Sequence, residues 1–253
     1  MLKLVGLGLY DETDMSIKAY ESIKDGDYIF IELYTSNLMG ASVSKLEHFT
    51  GKKIKTLSRE EVENQRVILD LAKTNKVLLL SAGDPLIATT HIALRIKAVE
   101  EHIPVEIIHG TSIPCAVPGL LGLQNYKFGR TVTIPFSEND SSKSVYDFIK
   151  NNQDSGLHTL VLLDIKPDRF MTANEALAIL SKMELTFKGK VIEKNTIFGV
   201  VSQAGSATPT LTSGTLNRLL NMDFGPPLHT MVIVGKLHFM EEEALKKLTR
   251  SFF

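Results

Sequence analysis

An α/β fold with two domains is predicted from three features of the sequence. Short apolar runs alternate with segments of helical period along both halves of the chain, as in layered α/β proteins. The length of 253 residues is enough for two medium-sized domains. Proline and glycine cluster at residues 110–119, where we expect the hinge. We therefore predict an N-terminal α/β domain at residues 1–112 and a C-terminal α/β domain at residues 113–253.

Four apolar runs predict the strands of the N-terminal domain. They lie at residues 2–7, 28–33, 77–80 and 105–108. The third run is apolar at every position, which is typical of a parallel strand buried on both faces. The first helix is predicted where Ile17, Tyr20 and Ile23 share one face. Lys24 and Gly26 are typical of its last turn and its end.

Two further helices are predicted in this domain. Ser58 and Glu61 have the spacing of a capping box, which predicts a helix over residues 58–73. Another helix is predicted to end before Pro104, because proline cannot continue it. Its apolar residues at helical spacing are Ile92, Ile96 and Val99.

The C-terminal domain repeats this alternation. Its predicted strands lie at residues 131–134, 159–165, 196–201 and 230–234. One helix is predicted to begin at Thr172, which has the capping-box spacing with Glu175, and another covers residues 212–221. The polar segment at residues 139–144 is predicted to be a loop tip.

Composition and charge exclude several classes of protein. The chain is 43% hydrophobic and 23% charged, which is ordinary for a globular protein and excludes a disordered one. Lys and Arg number 28 against 29 Asp and Glu, so the net charge is −1 and we expect no nucleic acid as a partner. Cys115 is the single cysteine, which excludes an internal disulfide and a cysteine zinc site.

The sequence also indicates where the protein works. No apolar run approaches the roughly 18 residues that a membrane-spanning helix needs. The apolar residues 1–10 lead directly into Asp11 and Glu12 without a small-residue cleavage site, so we predict a buried strand and no signal peptide. We therefore expect a cytoplasmic protein without a membrane segment. The seven histidines show no pair at the spacing of metal ligands, and we expect no metal site.

Two glycine-containing turns follow predicted strands, at the strand ends where open α/β sheets bind ligands. The turns are GLGLYDETD at residues 6–14 and SAGDPLIATTH at residues 81–91. In the first turn, Asp11 stands where the dinucleotide fingerprint needs a third glycine. Because its carboxylate would repel a pyrophosphate, a Rossmann dehydrogenase is disfavoured. The alternative for this turn is a simple connection between strand and helix.

The second turn carries a carboxylate at the end of the buried strand. Gly83 and Pro85 fix a tight turn around Asp84, which is a candidate acceptor for ribose hydroxyls or a partner for a cation. An ordinary Asx turn is the alternative. Ser112 and Ile113 lie in the predicted hinge, where pockets commonly form, and a rigid linker is the alternative for them.

Several segments, taken in order, resemble one family. They are GLGLYDETD (6–14), FIELYTS (30–36), GDPLIATTH (83–91), HGTSI (109–113), YKFG (126–129), GLHTLVLLDIK (156–166), MTANEAL (171–177), SQAGS (202–206) and FGPPLH through GKLH (224–238). Their order and spacing resemble the diphthine synthases, which are S-adenosylmethionine-dependent methyltransferases of the tetrapyrrole methylase superfamily. GLGLYDE with GDPLxATTH and MTANEA distinguishes this branch, and the resemblance covers residues 1–240.

The resemblance implies two α/β domains with S-adenosylmethionine folded into the cleft between them, commonly in a homodimer. The positions that match the family's cofactor contacts are Leu9, Asp84, Ile87, Ser112, Ile113, Leu163, Ala204 and His229. Most are apolar or small, which suits a site where backbone groups bind the adenine and side chains exclude water. We expect Asp84 and Ser112 to act through their side chains. Leu9, Ile87, Leu163 and Ala204 are expected to act mainly through shape.

The resemblance also implies a reaction and a protein partner. The family methylates a histidine of translation elongation factor 2 that already carries a 3-amino-3-carboxypropyl group. Three transfers to its amine give diphthine and S-adenosylhomocysteine, and a fourth transfer to the carboxylate is left open. The amine must lose a proton before it attacks. The candidate acceptors are His229, His91, His109 and solvent, so no catalytic residue is assigned.

Two other functions stay as alternatives. A tetrapyrrole or ribosomal RNA methyltransferase of the same superfamily would share the fold. The near-neutral charge disfavours RNA, and the full-length resemblance to the diphthine branch disfavours tetrapyrroles. The second alternative is a catalytically silent nucleotide-binding module that docks on a translation factor and binds the cofactor without turnover.

Overall fold

A computed structural model describes residues 1–136, 141–166 and 168–253 of the chain. The chain divides into two compact units, Met1–Ile113 and Pro114–Phe253. Both units combine helices with a β-sheet, so the predicted α/β class is confirmed. Within the described residues, no helix has the length and hydropathy needed to cross a membrane.

The first unit, all of whose residues are described, is built on a parallel five-stranded sheet. Its strands are β1 (Leu2–Gly6), β2 (Tyr28–Glu32), β3 (Lys55–Thr56), β4 (Val77–Ser81) and β5 (Val105–Ile108). Their order across the sheet is β3-β2-β4-β1-β5. The four predicted strands are confirmed to within a residue at each end. Strand β3 was not predicted, because both of its residues are exposed and polar.

Five α-helices accompany this sheet in residues 1–113. They are α1 (Ile17–Asp25), α2 (Val43–Thr50), α3 (Arg59–Asn64), α4 (Arg66–Ala72) and α5 (His91–Glu100). The predicted single helix over residues 58–73 is wrong, because Gln65 adopts a left-handed φ of 66° and separates α3 from α4. The predicted capping box of Ser58 and Glu61 is confirmed.

Apolar side chains on the two faces of the sheet form two separate cores. One contains Val5, Ile23, Leu46, Leu78 and Leu80. The other contains Leu4, Ile68, Leu79, Leu94 and Ala98. Neighbouring residues of β1 and β4 therefore point to opposite faces, as the period of a strand requires. In α5, Leu94 and Ala98 face the core, whereas the apolar residues at positions 92, 96 and 99 are exposed.

The second unit has a mixed sheet. Its strands are β6 (Val132–Ile134), β7 (Thr159–Leu163), β8 (Ile165–Lys166), β9 (Arg169–Phe170), β10 (Ile197–Ser202), β11 (Thr210–Thr215), β12 (His229–Ile233) and β13 (Arg250–Phe252). Among the described strands, six pair in the order β13-β11-β10-β12-β7-β6, and β8 pairs with β9 alone. Strand β12 runs antiparallel to both β10 and β7, so the ends of those two strands meet its beginning.

The helices of the second unit differ from prediction at three places. They are α6 (Ile113–Leu121), α7 (Ser141–Asp154), α8 (Ala173–Phe187), α9 (Leu216–Leu219) and α10 (Phe239–Leu248). Helix α6 occupies most of the segment where the hinge is expected. Residues 139 and 140 of the predicted loop tip lie outside the described residues, and residues 141–144 begin α7, so that part of the prediction is wrong.

The predicted helix over residues 212–221 is also wrong. Strand β11 occupies its first half, and only the four residues of α9 are helical. The sequence TLTSGT of this strand is rich in threonine, a β-branched residue that fits a pleated strand better than a helix. The capping box of Thr172 and Glu175 at the start of α8 is confirmed.

A buried ionic network joins distant segments of the second unit. The carboxylate of Glu241 is fully buried and receives the backbone N–H groups of Gln124 (2.9 Å) and His238 (2.8 Å). His158 Nε2 lies 3.0 Å from its Oε1, and the ammonium of Lys127 contacts its Oε2. Burial alone would raise the pKa of Glu241. The hydrogen bonds and the ammonium outweigh burial and lower it to about 2.

Candidate functional site

The turns singled out in the sequence meet at one edge of the first sheet. Strands β4 and β5 lie on either side of β1 and run parallel to it. The carboxyl ends of all three strands are therefore neighbours, and each leads into a glycine-containing turn. These turns contain Gly8 after β1, Gly83 after β4 and Gly110 after β5. This is the edge at which open α/β sheets bind ligands.

Backbone segments approach one another closely here because three residues lack side chains. A Cβ atom on Gly6 would lie 2.4 Å from the carbonyl oxygen of Gly83 and 2.6 Å from the nitrogen of Gly110. A Cβ atom on Gly110 would lie 2.3 Å from the same carbonyl oxygen. Such distances leave no room for any other residue type. The backbones of the three turns are therefore packed directly against one another, and we call this part of the sheet the glycine edge.

A short backbone bridge fixes the first two turns to each other. The N–H of Gly83 donates to the carbonyl of Gly8 at 2.6 Å, and the N–H of Gly8 reaches the carbonyl of Gly83 at 3.4 Å. Both residues have positive φ angles, +90° for Gly8 and +71° for Gly83, which only glycine adopts without strain. Leu9 follows this bridge directly, so its position is set by the glycine pair.

Asp84 is buried in the turn after β4, with 6% of its surface exposed, and both of its carboxylate oxygens are engaged. Oδ1 accepts the N–H of Leu86 at 2.9 Å, which makes the Asx turn that the sequence left as an alternative. Oδ2 lies 2.7 Å from Nδ1 of His109, the first residue after β5. The sequence did not predict this pair, because it does not reveal that β4 and β5 lie on either side of β1.

Three more predicted residues lie along this edge. Ser112 is buried, and its Oγ is 3.1 Å from the position that a Cβ of Gly83 would take. The N–H of Ile87 donates to the carbonyl of Asp84 at 3.3 Å, and the side chain of Ile87 is exposed. Ile113 follows Ser112 as the first residue of α6. The structure thus brings Leu9, Asp84, Ile87 and Ser112 together at one edge of the first unit.

The remaining predicted residues lie at one edge of the second sheet. Leu163 is the last residue of β7, Ala204 follows the end of β10, and His229 is the first residue of β12. His229 pairs with Ser202 across the sheet, and the N–H of residue 203 donates to the carbonyl of residue 228 at 2.9 Å. The antiparallel pairing of β7 with β12 places Leu163 at the same end.

The ring of His229 is buried and uses both of its nitrogens in structural hydrogen bonds. Nδ1 accepts the N–H of Ala173, the first residue of α8, at 3.0 Å. Nε2 donates to the carbonyls of Gly225 (3.0 Å) and Pro226 (3.1 Å). Burial is the main cause that lowers the pKa of His229, so the ring stays neutral. The ring has no free lone pair for a substrate proton.

His91 is equally enclosed. Its Nδ1 donates to the carbonyl of Pro85 at 2.9 Å, and its Nε2 lies 3.7 Å from the buried carboxylate of Glu32. Burial lowers the pKa of His91, although the carboxylate of Glu32 acts in the opposite direction. Because neither side chain is exposed, this ring has no access to a substrate amine from solvent.

The sequence and the fold of this chain are similar to those of one known family. Residues 1–220 match the family model described as Tetrapyrrole (Corrin/Porphyrin) Methylases. The chain is 48% identical to the diphthine synthase of Methanocaldococcus jannaschii, with 98% of each chain covered. It is 44% identical to that of Methanosarcina acetivorans, with 98% of this chain and 96% of the relative covered. A crystal structure of diphthine synthase superposes with a TM-score of 0.91 at 36% identity, covering 99% of this chain and 96% of that one.

Proposed function

Because the chain belongs to the diphthine synthase branch of the tetrapyrrole methylase family, we propose that it methylates the amino group of a 3-amino-3-carboxypropyl-modified histidine in translation elongation factor 2. It is a methyltransferase of diphthamide biosynthesis, and we propose S-adenosylmethionine as the methyl donor. The observation that carries the proposal is 48% identity to a diphthine synthase over 98% of both chains. Identity of this extent favours this reaction over a tetrapyrrole or ribosomal RNA substrate.

The glycine edge of the first unit, where the turns after β1, β4 and β5 meet, is the site that we propose for a nucleoside cofactor. Gly83 and Gly110 are only partly buried, and we propose that their backbone groups bind the adenine or the ribose. We propose that eight residues contact the cofactor. They are Leu9, Asp84, Ile87, Ser112 and Ile113 in the first unit and Leu163, Ala204 and His229 in the second.

The residues of the chain act mainly by binding and alignment. When bound, S-adenosylmethionine supplies a methyl group on a positively charged sulfur and leaves as S-adenosylhomocysteine, a neutral thioether. The glycine edge and the apolar residues Leu9 and Ile87 hold and shield the reacting groups, so that the amine meets the methyl group in line. Alignment of this kind lowers the activation barrier by up to roughly 7–11 kcal/mol. We propose that Ser112, which is buried beside Gly83, hydrogen-bonds a polar group of the cofactor.

Replacement of Asp84 by alanine is expected to weaken S-adenosylmethionine binding by about 1–2 kcal/mol, the usual loss for a charge-assisted hydrogen bond. The turn after β4 would also lose the hydrogen bond from Leu86 that fixes its shape. Titration calorimetry measures the change as a roughly 5- to 30-fold rise in Kd. Asp70→Ala is the control, because the Asp70 side chain is exposed and paired with Lys73 on a helix surface. An unchanged affinity for Asp84→Ala would exclude a role in binding.

The activity is tested by the intact mass of elongation factor 2 after incubation with the protein and S-adenosylmethionine. The substrate factor carries the aminocarboxypropyl-histidine, and the control factor carries an unmodified histidine. Three added methyl groups on the modified factor alone are expected, and a fourth would indicate an ester on the carboxylate. No added mass together with measurable cofactor binding would contradict the proposal and favour a silent binding module.

We also propose that the protein is a homodimer and works in the cytoplasm. The dimer is supported by the family resemblance, and the location by the proposed substrate, a factor that works at the ribosome. Light scattering coupled to size-exclusion chromatography measures the mass of the assembly. A mass near 28 kDa, that of one chain, would contradict the dimer.

A further inference from the structure

We propose that His109 accepts the proton that the attacking amine must lose, and that Asp84 is the positioning residue that orients its ring. This inference rests on the proposed function and adds a catalytic residue to it. Its basis is a contact that the sequence did not predict, the 2.7 Å distance between His109 Nδ1 and Asp84 Oδ2.

The reaction requires a proton acceptor at every transfer. A primary amine is largely protonated near neutral pH, and an ammonium has no lone pair with which to attack. When the amine attacks, its lone pair forms the new nitrogen–carbon bond, while the electron pair of the broken carbon–sulfur bond stays on sulfur. One proton therefore leaves the nitrogen for each methyl group that it gains. A base beside the amine accepts that proton as the nitrogen–carbon bond forms.

The tautomer of His109 follows from its partner. The buried carboxylate of Asp84 also accepts the N–H of Leu86, so it serves as an acceptor toward the ring. Nδ1 of His109 must then carry the hydrogen, which leaves the lone pair on Nε2. The His109 side chain is 74% exposed, whereas that of Asp84 is 7% exposed. A fixed carboxylate thus holds an accessible imidazole whose Nε2 has no hydrogen-bond partner among the described residues.

The location of the pair fits the role. Asp84 stands three residues after β4 and His109 one residue after β5, on either side of the end of β1. Both turns belong to the glycine edge proposed to bind the cofactor. His229 and His91, the other two histidines considered for this step, have their rings buried. Among these three, His109 alone combines an accessible Nε2 with a carboxylate on Nδ1.

The tautomer can be measured without any turnover. Long-range ¹⁵N–¹H correlation spectra of the histidine-labelled protein distinguish a protonated Nδ1 from a protonated Nε2, and the His109→Asn variant assigns the signal. Protonated Nδ1 is expected in the wild type, and a shift toward protonated Nε2 is expected in Asp84→Ala. A wild-type ring protonated on Nε2, or one unaffected by Asp84→Ala, would overturn the proposal.

Kinetics test the role of the base itself. The His109→Asn variant keeps an amide donor toward Asp84 but has no basic nitrogen at this position. We expect kcat to fall about 100-fold at neutral pH, with the Kd for S-adenosylmethionine unchanged. The deficit should shrink as the pH rises, because the amine then loses its proton without help. His102→Asn, at another exposed histidine, is the matched control and should retain wild-type kcat.

The outcomes separate this inference from the proposed function. An inactive wild type contradicts the proposed function and removes the role of His109 with it. An active wild type with a fully active His109→Asn variant overturns the role of His109 alone. A deficit that is the same at every pH indicates a structural role for the ring and also overturns the proposal.

Discussion

Replacement of Gly110 by alanine is expected to destabilise the first unit by about 3 kcal/mol or more. The new Cβ would lie 2.3 Å from the carbonyl oxygen of Gly83 and 2.8 Å from the carbonyl carbon of Gly6. Both are backbone atoms of hydrogen-bonded strands or turns, so neither can move without separating the ends of β1, β4 and β5. Urea denaturation followed by circular dichroism measures the loss as a lower unfolding midpoint.

Gly119 provides a control of opposite sign for this experiment. It is exposed within α6, and among the described residues a Cβ there would meet no atom within 4 Å outside its chain neighbours and its own helix backbone. Because alanine favours a helix over glycine, Gly119→Ala is expected to stabilise the chain by about 0.5–1 kcal/mol. A Gly110→Ala variant within about 1 kcal/mol of the wild type would show that the glycine edge tolerates side chains, contrary to the geometry.

Replacement of Glu241 by alanine is expected to lower the free energy of unfolding of the second unit by about 3–5 kcal/mol. The substitution leaves Lys127 without its carboxylate partner and the N–H groups of Gln124 and His238 without acceptors. His158 loses the acceptor of its Nε2 hydrogen in a fully buried position. Chemical denaturation at neutral pH measures the effect.

The same carboxylate makes the stability of the second unit depend on pH. The pKa of Glu241 is about 2 in the folded protein and near 4.5 in an unfolded chain. The contribution of this carboxylate to the free energy of unfolding is therefore complete above pH 4.5, and it is lost as the pH falls toward 2. The Glu241→Ala variant should lose less stability than the wild type across this range. Glu242→Ala is the control, because Glu242 lies next in α10, is half exposed and pairs with Lys246 at the surface.

The fold could be predicted where sequence patterns were strong. The apolar runs of β4 and β5 and the capping box of α8 located those elements to within a residue or two. Weak or competing patterns failed, as for β11, where the sequence pattern predicted part of a helix. The break between α3 and α4 was not predicted either, because nothing in the sequence around Gln65 indicates its left-handed conformation.

The candidate site could be predicted only as separate turns. The glycines after β1 and β4 and the Asx turn of Asp84 could be predicted because each depends on a few neighbouring residues. The Asp84–His109 pair could not, since it depends on the order of strands across the sheet. The eight cofactor contacts stay a prediction that binding measurements on single variants will test.

The Glu241 network has a consequence for the order in which the chain folds during synthesis. Its members are contributed by segments more than 100 residues apart, as in the hydrogen bond from Gln124 to Glu241. The nascent second unit therefore emerges from the ribosome with Lys127 and His158 unpaired until α10 has been translated. The first unit, residues 1–113, is complete much earlier, and we expect it to fold first because domains generally fold as units. We expect ribosome-bound chains that end before residue 241 to show a protease-resistant first unit and a protease-sensitive remainder.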